Sequence, residues 1–176
     1  MADPTVRAAT LADLEALHGL IERAYRGDAA RVGWTHEADL LGGQRTDVDD
    51  LRSILTDPAR VMLAAEDGDA LIGCVQIFDE GEGSSYLGML SIEPSRQAGG
   101  LGRFMIAAAE AEAVARFGAR RMTMTVIRQR AELIAWYERR GYALTGVEEP
   151  FPLDDERFGL PRRRDLVFVM LEKALA

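Results

Sequence analysis

Two groups of residues in this chain have types and spacings that could do chemistry, and glycines mark the first. Gln97-Ala98-Gly99-Gly100-Leu101-Gly102-Arg103 comes after an apolar run ending Leu90-Ser91-Ile92-Glu93-Pro94, and an alanine-rich segment continues from it to Phe117. A strand, a glycine turn and a helix start thus follow within a few residues. The first turn of a helix carries unpaired backbone N–H groups and the positive end of the macrodipole, so it attracts anions. Glycine lets that backbone take left-handed conformations and approach a ligand closely. The spacing predicts an anion cradle, with phosphate as the anion. A dinucleotide fingerprint is excluded, because Met105 stands where its third glycine belongs. A P-loop is excluded too, because Arg103-Phe104 replaces the required Lys and Ser or Thr after Gly102.

The second group is Ala135-Trp136-Tyr137-Glu138-Arg139-Arg140-Gly141-Tyr142, an aromatic pair near the end of a helix that Gly141 closes. Taken alone, it is an ordinary aromatic core stripe. Together the two groups say more. Gln97-x-x-Gly100-x-Gly102 after a strand resembles the acetyl-coenzyme A signature of the GNAT superfamily of N-acetyltransferases. The aromatic segment resembles that family's carboxy-terminal signature, an apolar-Tyr pair, three residues, then Gly-Tyr, and it falls in the family's order. The opening Thr5 to Leu14 also resembles a GNAT amino terminus, so the likeness runs from Val6 to Leu171.

The resemblance implies an α/β fold of the α+β type. Its sheet is mixed, largely antiparallel and seven-stranded, splayed between the fourth and fifth strands and flanked by about four helices. Those two strands are Tyr86–Ile92 and Arg121–Val126, and residues 1–176 form a single acetyltransferase domain. The implied activity moves an acetyl group from acetyl-coenzyme A, as co-substrate and without a metal, to a primary amine of a small molecule or peptide. Attack is direct within a ternary complex, so Cys74 has no required role. The implied cofactor contacts are Leu90, Ser91 and Ile92 for pantetheine, Gln97, Ala98, Gly99, Gly100, Leu101, Gly102 and Arg103 for pyrophosphate, and Arg130. Tyr137 is the implied general acid for the departing thiolate. The alternatives are a non-catalytic acyl-coenzyme A-binding module of the same fold, and a cofactor-free interaction domain. Tyr137 favours the enzyme, because a sensor needs no proton donor.

Three positions depart from the family pattern. Ala98 replaces a glycine found in many members, and its methyl group is tolerable only at negative φ. Arg130 stands where many members have Asn, and Tyr86 where some carry a general-base Glu. Glu37, Glu82 and a water relay all stay open as the base.

The elements that position these groups follow from periodicity. Thr10 and Asp13 form a capping-box variant before Leu14, Leu17, Ile21, Ala24 and Tyr25, which recur at helical spacing. His18 lies between core positions as a structural residue. Thr46 caps a second helix carrying Val48, Leu51, Ile54 and Leu55. Asp67-Gly68-Asp69 joins two strands as a hairpin, and the acidic stretch Asp79 to Ser85 reads as a loop. Phe104, Met105, Ala108, Ala111 and Ala115 mark the inner face of the helix after the cradle, and Met122, Met124 and Val126 alternate in the next strand. Two irregular segments, Gly33 to Thr46 and Glu148 to Arg164, lie at the expected acceptor end. They supply Trp34, Glu37, Arg45 and Glu156 as candidate acceptor contacts.

Composition narrows the class. The chain has 176 residues, is 48% apolar and carries a net charge of −8. That charge disfavours nucleic acid as a partner and obliges any polyanionic cofactor to rely on local N–H groups and arginines. One cysteine and two histidines offer neither a disulfide nor a metal cluster. No apolar run reaches the roughly 20 residues of a membrane span, and no export signal opens the chain, so a cytoplasmic monomer or homodimer is expected.

Overall fold

The computed structural model describes residues 3–175. The chain enters as an edge strand, β1 (Thr5–Ala8), and Thr10 N–H then donates to Asp13 Oδ2 at 2.7 Å, closing one half of a capping box. Helix α1 (Leu14–Tyr25) buries Leu14, Leu17, Leu20, Ile21 and Ala24 along one stripe. The stretch without period contains a short helix, α2 (Gly27–Ala30), and a two-residue strand, β2 (Leu41–Gly42). Helix α3 (Val48–Thr56) starts from Asp47, not from the expected Thr46: the Asp47 carboxylate accepts from Asp50 N–H at 2.7 Å. Thr46 is buried one residue earlier, with its N–H on Glu22 at 2.9 Å and its hydroxyl on Asp50 at 2.9 Å.

Two hairpins follow. Strands β3 (Arg60–Asp67) and β4 (Ala70–Gly81) turn at Gly68, and β5 (Ser84–Ile92) turns back from β4 through Glu82-Gly83. Both of the latter residues have positive φ, as a tight turn between right-twisted strands requires. The stretch expected as a loop is therefore paired strand up to a two-residue turn, and Glu82 is carried to its tip. Helix α4 (Leu101–Phe117), strand β6 (Arg121–Ile127), helix α5 (Ala131–Glu138) and strands β7 (Ala143–Pro150), β8 (Leu160–Pro161) and β9 (Val167–Ala174) complete the chain.

The main sheet is seven-stranded and mostly antiparallel, in the order β1-β3-β4-β5-β6-β9-β7. Its parallel pair, β5 and β6, stays in register only from Ser84↔Arg121 to Tyr86↔Thr123 and then separates. Alternation along the strands gives each face its own core. Val61, Leu63, Val75 and Ile77 pack with α4 on one side, while Met62 and Cys74 pack with α1 and α3 on the other. The inner face of α4 is rotated from the expected one. Leu101, Met105, Ile106, Ala109 and Ala113 are buried, whereas Phe104, Ala111 and Ala115 are exposed. The alanine run makes the stripe ambiguous, because helix faces differ little in hydrophobicity when both are small and apolar.

A second, two-stranded sheet pairs β2 with β8 and clips the segment between β7 and β9 onto the loop before α3. Gly159, at φ 105°, permits this close approach: a Cβ there would lie 3.0 Å from Gly42 O. Asp47 joins these features, since it caps α3 beside the clipped loop. Asp47→Ala should lower stability by about 1 kcal/mol through loss of the cap. Urea unfolding monitored by circular dichroism checks this, and an unchanged midpoint would contradict the assignment of Asp47 as cap.

Candidate active site

The separation of β5 from β6 begins with a bulge. Cys74 faces Ser91 and Gln76 faces Gly88, so Met89 and Leu90 have no register partner on β4. Met89 has φ 51°, a left-handed conformation uncommon for a side chain of its size. Ser91 Oγ donates to Met89 O at 2.9 Å, and Tyr25 Oη donates to Leu90 O at 2.8 Å. The bulge is thus pinned from within the strand and from α1. Gly88 makes room for it, since a Cβ there would come within 2.9 Å of the Tyr86 ring. A glycine inside a strand pattern is a known sign of a bulge, and at Gly88 that sign is present in the sequence. Burial pushes the neighbouring Cys74 thiol up to about 12, so it stays protonated against the bulge.

The cradle follows at the end of β5. Arg23 on Glu93 and Arg96 on Asp67, each at 2.8 Å, tether its approach. Ala98 has φ 67° and Gly100 φ 87°. Ala98 therefore occupies the left-handed region that was expected to exclude it, at a cost of about 1–2 kcal/mol. Phe104 N–H is the first in α4 to reach a helix carbonyl, at Gly100 and 3.0 Å, which leaves the amides of Leu101, Gly102 and Arg103 at an open helix end. Gln97 takes another part: its N–H turns back to Pro94 O, and its side chain spans from Ile92 O to Thr35 N–H.

A cavity of about 430 Å³ runs from this cradle to Tyr137. Leu90, Ile92, Gln97 to Gly100, Gly102 and Arg103 line it, while Ser91 and Leu101 do not. The Ser91 side chain supports the bulge, and Leu101 belongs to the core under the sheet. Trp34, expected at the acceptor, instead forms this cavity's wall beside Trp136, with ring centroids 6.1 Å apart. Arg140, which sequence reasoning passed over, also lines it and lies 3.7 Å above the Trp136 ring. Burial, with Arg139 and Arg103 nearby, lowers its pKa, as expected for a cation short of counter-charge.

A second cavity, about 620 Å³, opens on the α1–α3 side, and Tyr25, Leu90, Arg130, Leu133 and Tyr137 line both. The two spaces meet where β5 and β6 part. Tyr137 is 5% exposed, and no hydrogen bond from its hydroxyl occurs among the described residues. Burial raises its pKa above the ordinary tyrosine value, with Tyr25 adding to the effect, so the phenol keeps its proton. Glu37 and Arg45 line the second cavity, but Glu156 does not; its neighbours Arg157 and Phe158 do.

Glu37 is not a free carboxylate. Its two oxygens accept from Arg26 at 2.5 Å and from Arg130 at 3.1 Å, and all three side chains are buried. Burial alone would raise its pKa, but Arg130, Arg26 and Arg45 outweigh that and hold it below the ordinary range. Arg130 also donates to Thr35 Oγ1 at 2.7 Å. Glu82, the other carboxylate considered as a base, lines neither cavity. Because its folded pKa is depressed, the stability Glu37 contributes is complete above the unfolded value of about 4.3 and is lost as pH falls below it. Glu37→Ala leaves two buried guanidinium groups without their shared partner and should cost about 3–5 kcal/mol near neutral pH. Chemical denaturation measures this, and a loss below about 1 kcal/mol would show the triad to be solvated.

Comparison with known proteins gives the family. The sequence matches the Acetyltransferase (GNAT) family over residues 16–142, and comparison with curated protein sequences gives no match. Solved structures share the fold at low identity. A spermidine N-acetyltransferase SpeG chimera from Vibrio cholerae and hSSAT is 18% identical, covering 99% of this chain and 96% of that one, with a TM-score of 0.72. The yncA protein of Salmonella typhimurium, with its cofactor acetyl-CoA, is 20% identical over 99% and 95% of the two chains, with a TM-score of 0.72. The PaiA N-acetyltransferase of Thermoplasma acidophilum, in complex with coenzyme A, is 16% identical over 98% and 99%, with a TM-score of 0.73. The family match spans the bulged strand, the glycine cradle and the Tyr137 helix that meet at the junction of the two cavities, and the chain belongs to the acetyltransferase (GNAT) family.

Proposed function

We propose that residues 1–176 form one N-acetyltransferase domain that moves an acetyl group from acetyl-coenzyme A to a primary amine of a small molecule or peptide within a ternary complex. One observation carries this reading: two cavities, one beginning at a glycine cradle, meet at Leu90 and Tyr137. A module that only senses acyl-coenzyme A needs the first cavity alone. Structural neighbours that carry acetyl-CoA or coenzyme A, and one that is a spermidine N-acetyltransferase, support the same cofactor and an amine acceptor.

The residues fit the cofactor. The open helix end at Leu101 to Arg103, the small residues Ala98 to Gly100 and the Arg103 and Arg140 cations suit a pyrophosphate. The edge of β5 that faces β6 has no strand partner beyond Tyr86, which suits the amides of pantetheine as an added strand along Leu90 and Ile92. Acetyl-coenzyme A supplies an activated acyl thioester. In this reading Leu90 N–H, on the bulge, would stabilise charge on the acyl oxygen. Tyr137 holds a proton at Oη where the departing sulfur needs one. Glu37 is bound by two arginines and Glu82 sits at a hairpin tip, so a water relay is the base this reading favours.

The same reading places the protein in the cytoplasm, as a monomer or homodimer, with no metal and no nucleic-acid or membrane partner. No helix among the described residues is long and apolar enough to cross a membrane. The net charge of −8 supports the exclusion of nucleic acid.

Two experiments test the reading. Acetyl-coenzyme A should raise the melting temperature, because a ligand that binds the native state alone stabilises it by mass action. Gly100→Glu, which sets a carboxylate against the phosphates, should abolish that rise; a rise of wild-type size would place the cofactor elsewhere. Tyr137→Phe keeps the ring and should lower kcat by about 10²–10⁴ with little change in cofactor affinity. Because its pKa is raised, the wild-type kcat should show no alkaline fall from Tyr137 below about pH 10. A near wild-type kcat in the variant, where chemistry limits turnover, would give the proton-donor role to another group.

A further inference from the structure

The second cavity divides by charge. Its buried inner part holds Arg26 and Arg130 against the carboxylate of Glu37, and the half-buried Arg45 lies close enough to act on the same carboxylate. The start of α3 brings Asp47, Asp49 and Asp50 to the rim, where Asp47 caps the helix and Asp50 takes the Thr46 hydroxyl. Arg157, also at the rim, is paired with Asp155 at 2.6 Å. Arginine thus predominates at the inner end, beside the junction, and carboxylate at the rim.

Arg45 is the group left over. Glu22 holds the backbone at that point, accepting from the N–H groups of Arg45 and Thr46, each at 2.9 Å. The guanidinium lies 5.0 Å above the centre of the Tyr25 ring, whose hydroxyl binds Leu90 O. No carboxylate or carbonyl receives an Arg45 guanidinium N–H among the described residues. Three further donors on residues lining this cavity are unused. Gln76 is 5% exposed and its side-chain nitrogen has no partner, and Arg26 Nε and Arg130 Nε are likewise buried without an acceptor. A simple amine has no group that Arg45 or the Gln76 side-chain nitrogen could bind. An anion is what would complete it.

We propose, building on the acetyltransferase reading above, that the acceptor is an amino acid whose carboxylate is received by Arg45 with Gln76 beside it. That fixes its amino group at the Leu90–Tyr137 junction. A guanidinium offers paired N–H donors matched to a carboxylate, so it orients the acceptor as well as attracting it. Phe151, Phe168, Leu41 and Ile127 also line the cavity and offer a surface for an apolar or aromatic side chain. The cations also lower the pKa of the nearby ammonium and favour the neutral, nucleophilic amine, which removes the need for a dedicated carboxylate base. The transfer balances without another reactant. The amide C–N bond forms as the thioester C–S bond breaks, one acceptor proton ends on the thiol and a second leaves to solvent.

Thiol release from acetyl-coenzyme A tests this with matched acceptors: phenylalanine against phenethylamine, leucine against isopentylamine, and lysine against 1,5-diaminopentane. In wild type the amino acid should exceed its decarboxylated partner in kcat/KM by about 10- to 100-fold in at least one pair, the value of a charge-assisted contact. Arg45→Gln should erase the ratio, chiefly through a rise in the amino acid's KM, and Arg45→Lys should restore part of it. Amines turned over as well as or better than the amino acids would overturn the proposal while acetyl transfer stands. So would a ratio that survives Arg45→Gln. No thiol release with any acceptor, although acetyl-coenzyme A still raises the melting temperature, would overturn both the acetyltransferase reading and this one.

Discussion

The parting of β5 from β6 is the constraint on which the site depends. Parallel strands that stayed paired would fill the sheet and leave no room for a ligand between them. Here pairing stops at Tyr86 and Thr123, and the Met89–Leu90 bulge bends β5 away. The bend carries a left-handed methionine, so it persists only because its surroundings hold it. Ser91 and Tyr25 hold it by one carbonyl each, Cys74 packs behind it, and Gly88 admits the Tyr86 ring. The cradle at the start of α4 and the tyrosine on α5 then face one opening from two sides. Each element is ordinary alone; their convergence on the gap makes a site.

Charge is organised locally against the global field. The chain is acidic, yet both cavities meet at Arg130, with Arg103 and Arg140 in one and Arg26 and Arg45 in the other. Arg130 precedes the first residue of α5, where the helix dipole is unfavourable to a cation. Glu37 offsets this and also ties in Arg26, just beyond α1. The triad thereby joins the end of α1, the loop before α3 and the start of α5. A buried triad is weak evidence of net stabilisation, because desolvating three charges is expensive. Its plainer effect is geometric: it fixes three elements around the junction and engages the Glu37 carboxylate, which is then not free to act as a base.

The fold was legible where pattern and turn chemistry agreed. Asp67-Gly68-Asp69 announced its hairpin, alternation in Met122 to Ile127 announced β6, and the glycines announced the turn into α4. The acidic stretch from Asp79 to Ser85 misled because polar, glycine-rich composition is shared by loops and exposed strand ends. Thr46 and Asp47 are both good caps, and only the backbone decides between them. At the site, residues carried by local spacing were easier to place than those brought in from afar. Leu90, Gln97, Gly100 and Tyr137 all line the first cavity. Tyr25 looked like one more core position of α1, although its hydroxyl reaches the bulge 65 residues away in sequence. Trp34 and Glu156 were chosen for lying in irregular segments, which gives no direction; one faces the cradle and the other neither cavity.

The central claim is that the gap between β5 and β6, continuous with the cradle, is where the cofactor lies. Amide hydrogen exchange with and without saturating acetyl-coenzyme A tests it at the level of single residues. The account predicts slower exchange at Leu90 and Ile92 and at the amides of residues 98–103, with the β7 edge unaffected. Protection confined to other elements, or none in the gap at saturating cofactor, would contradict it.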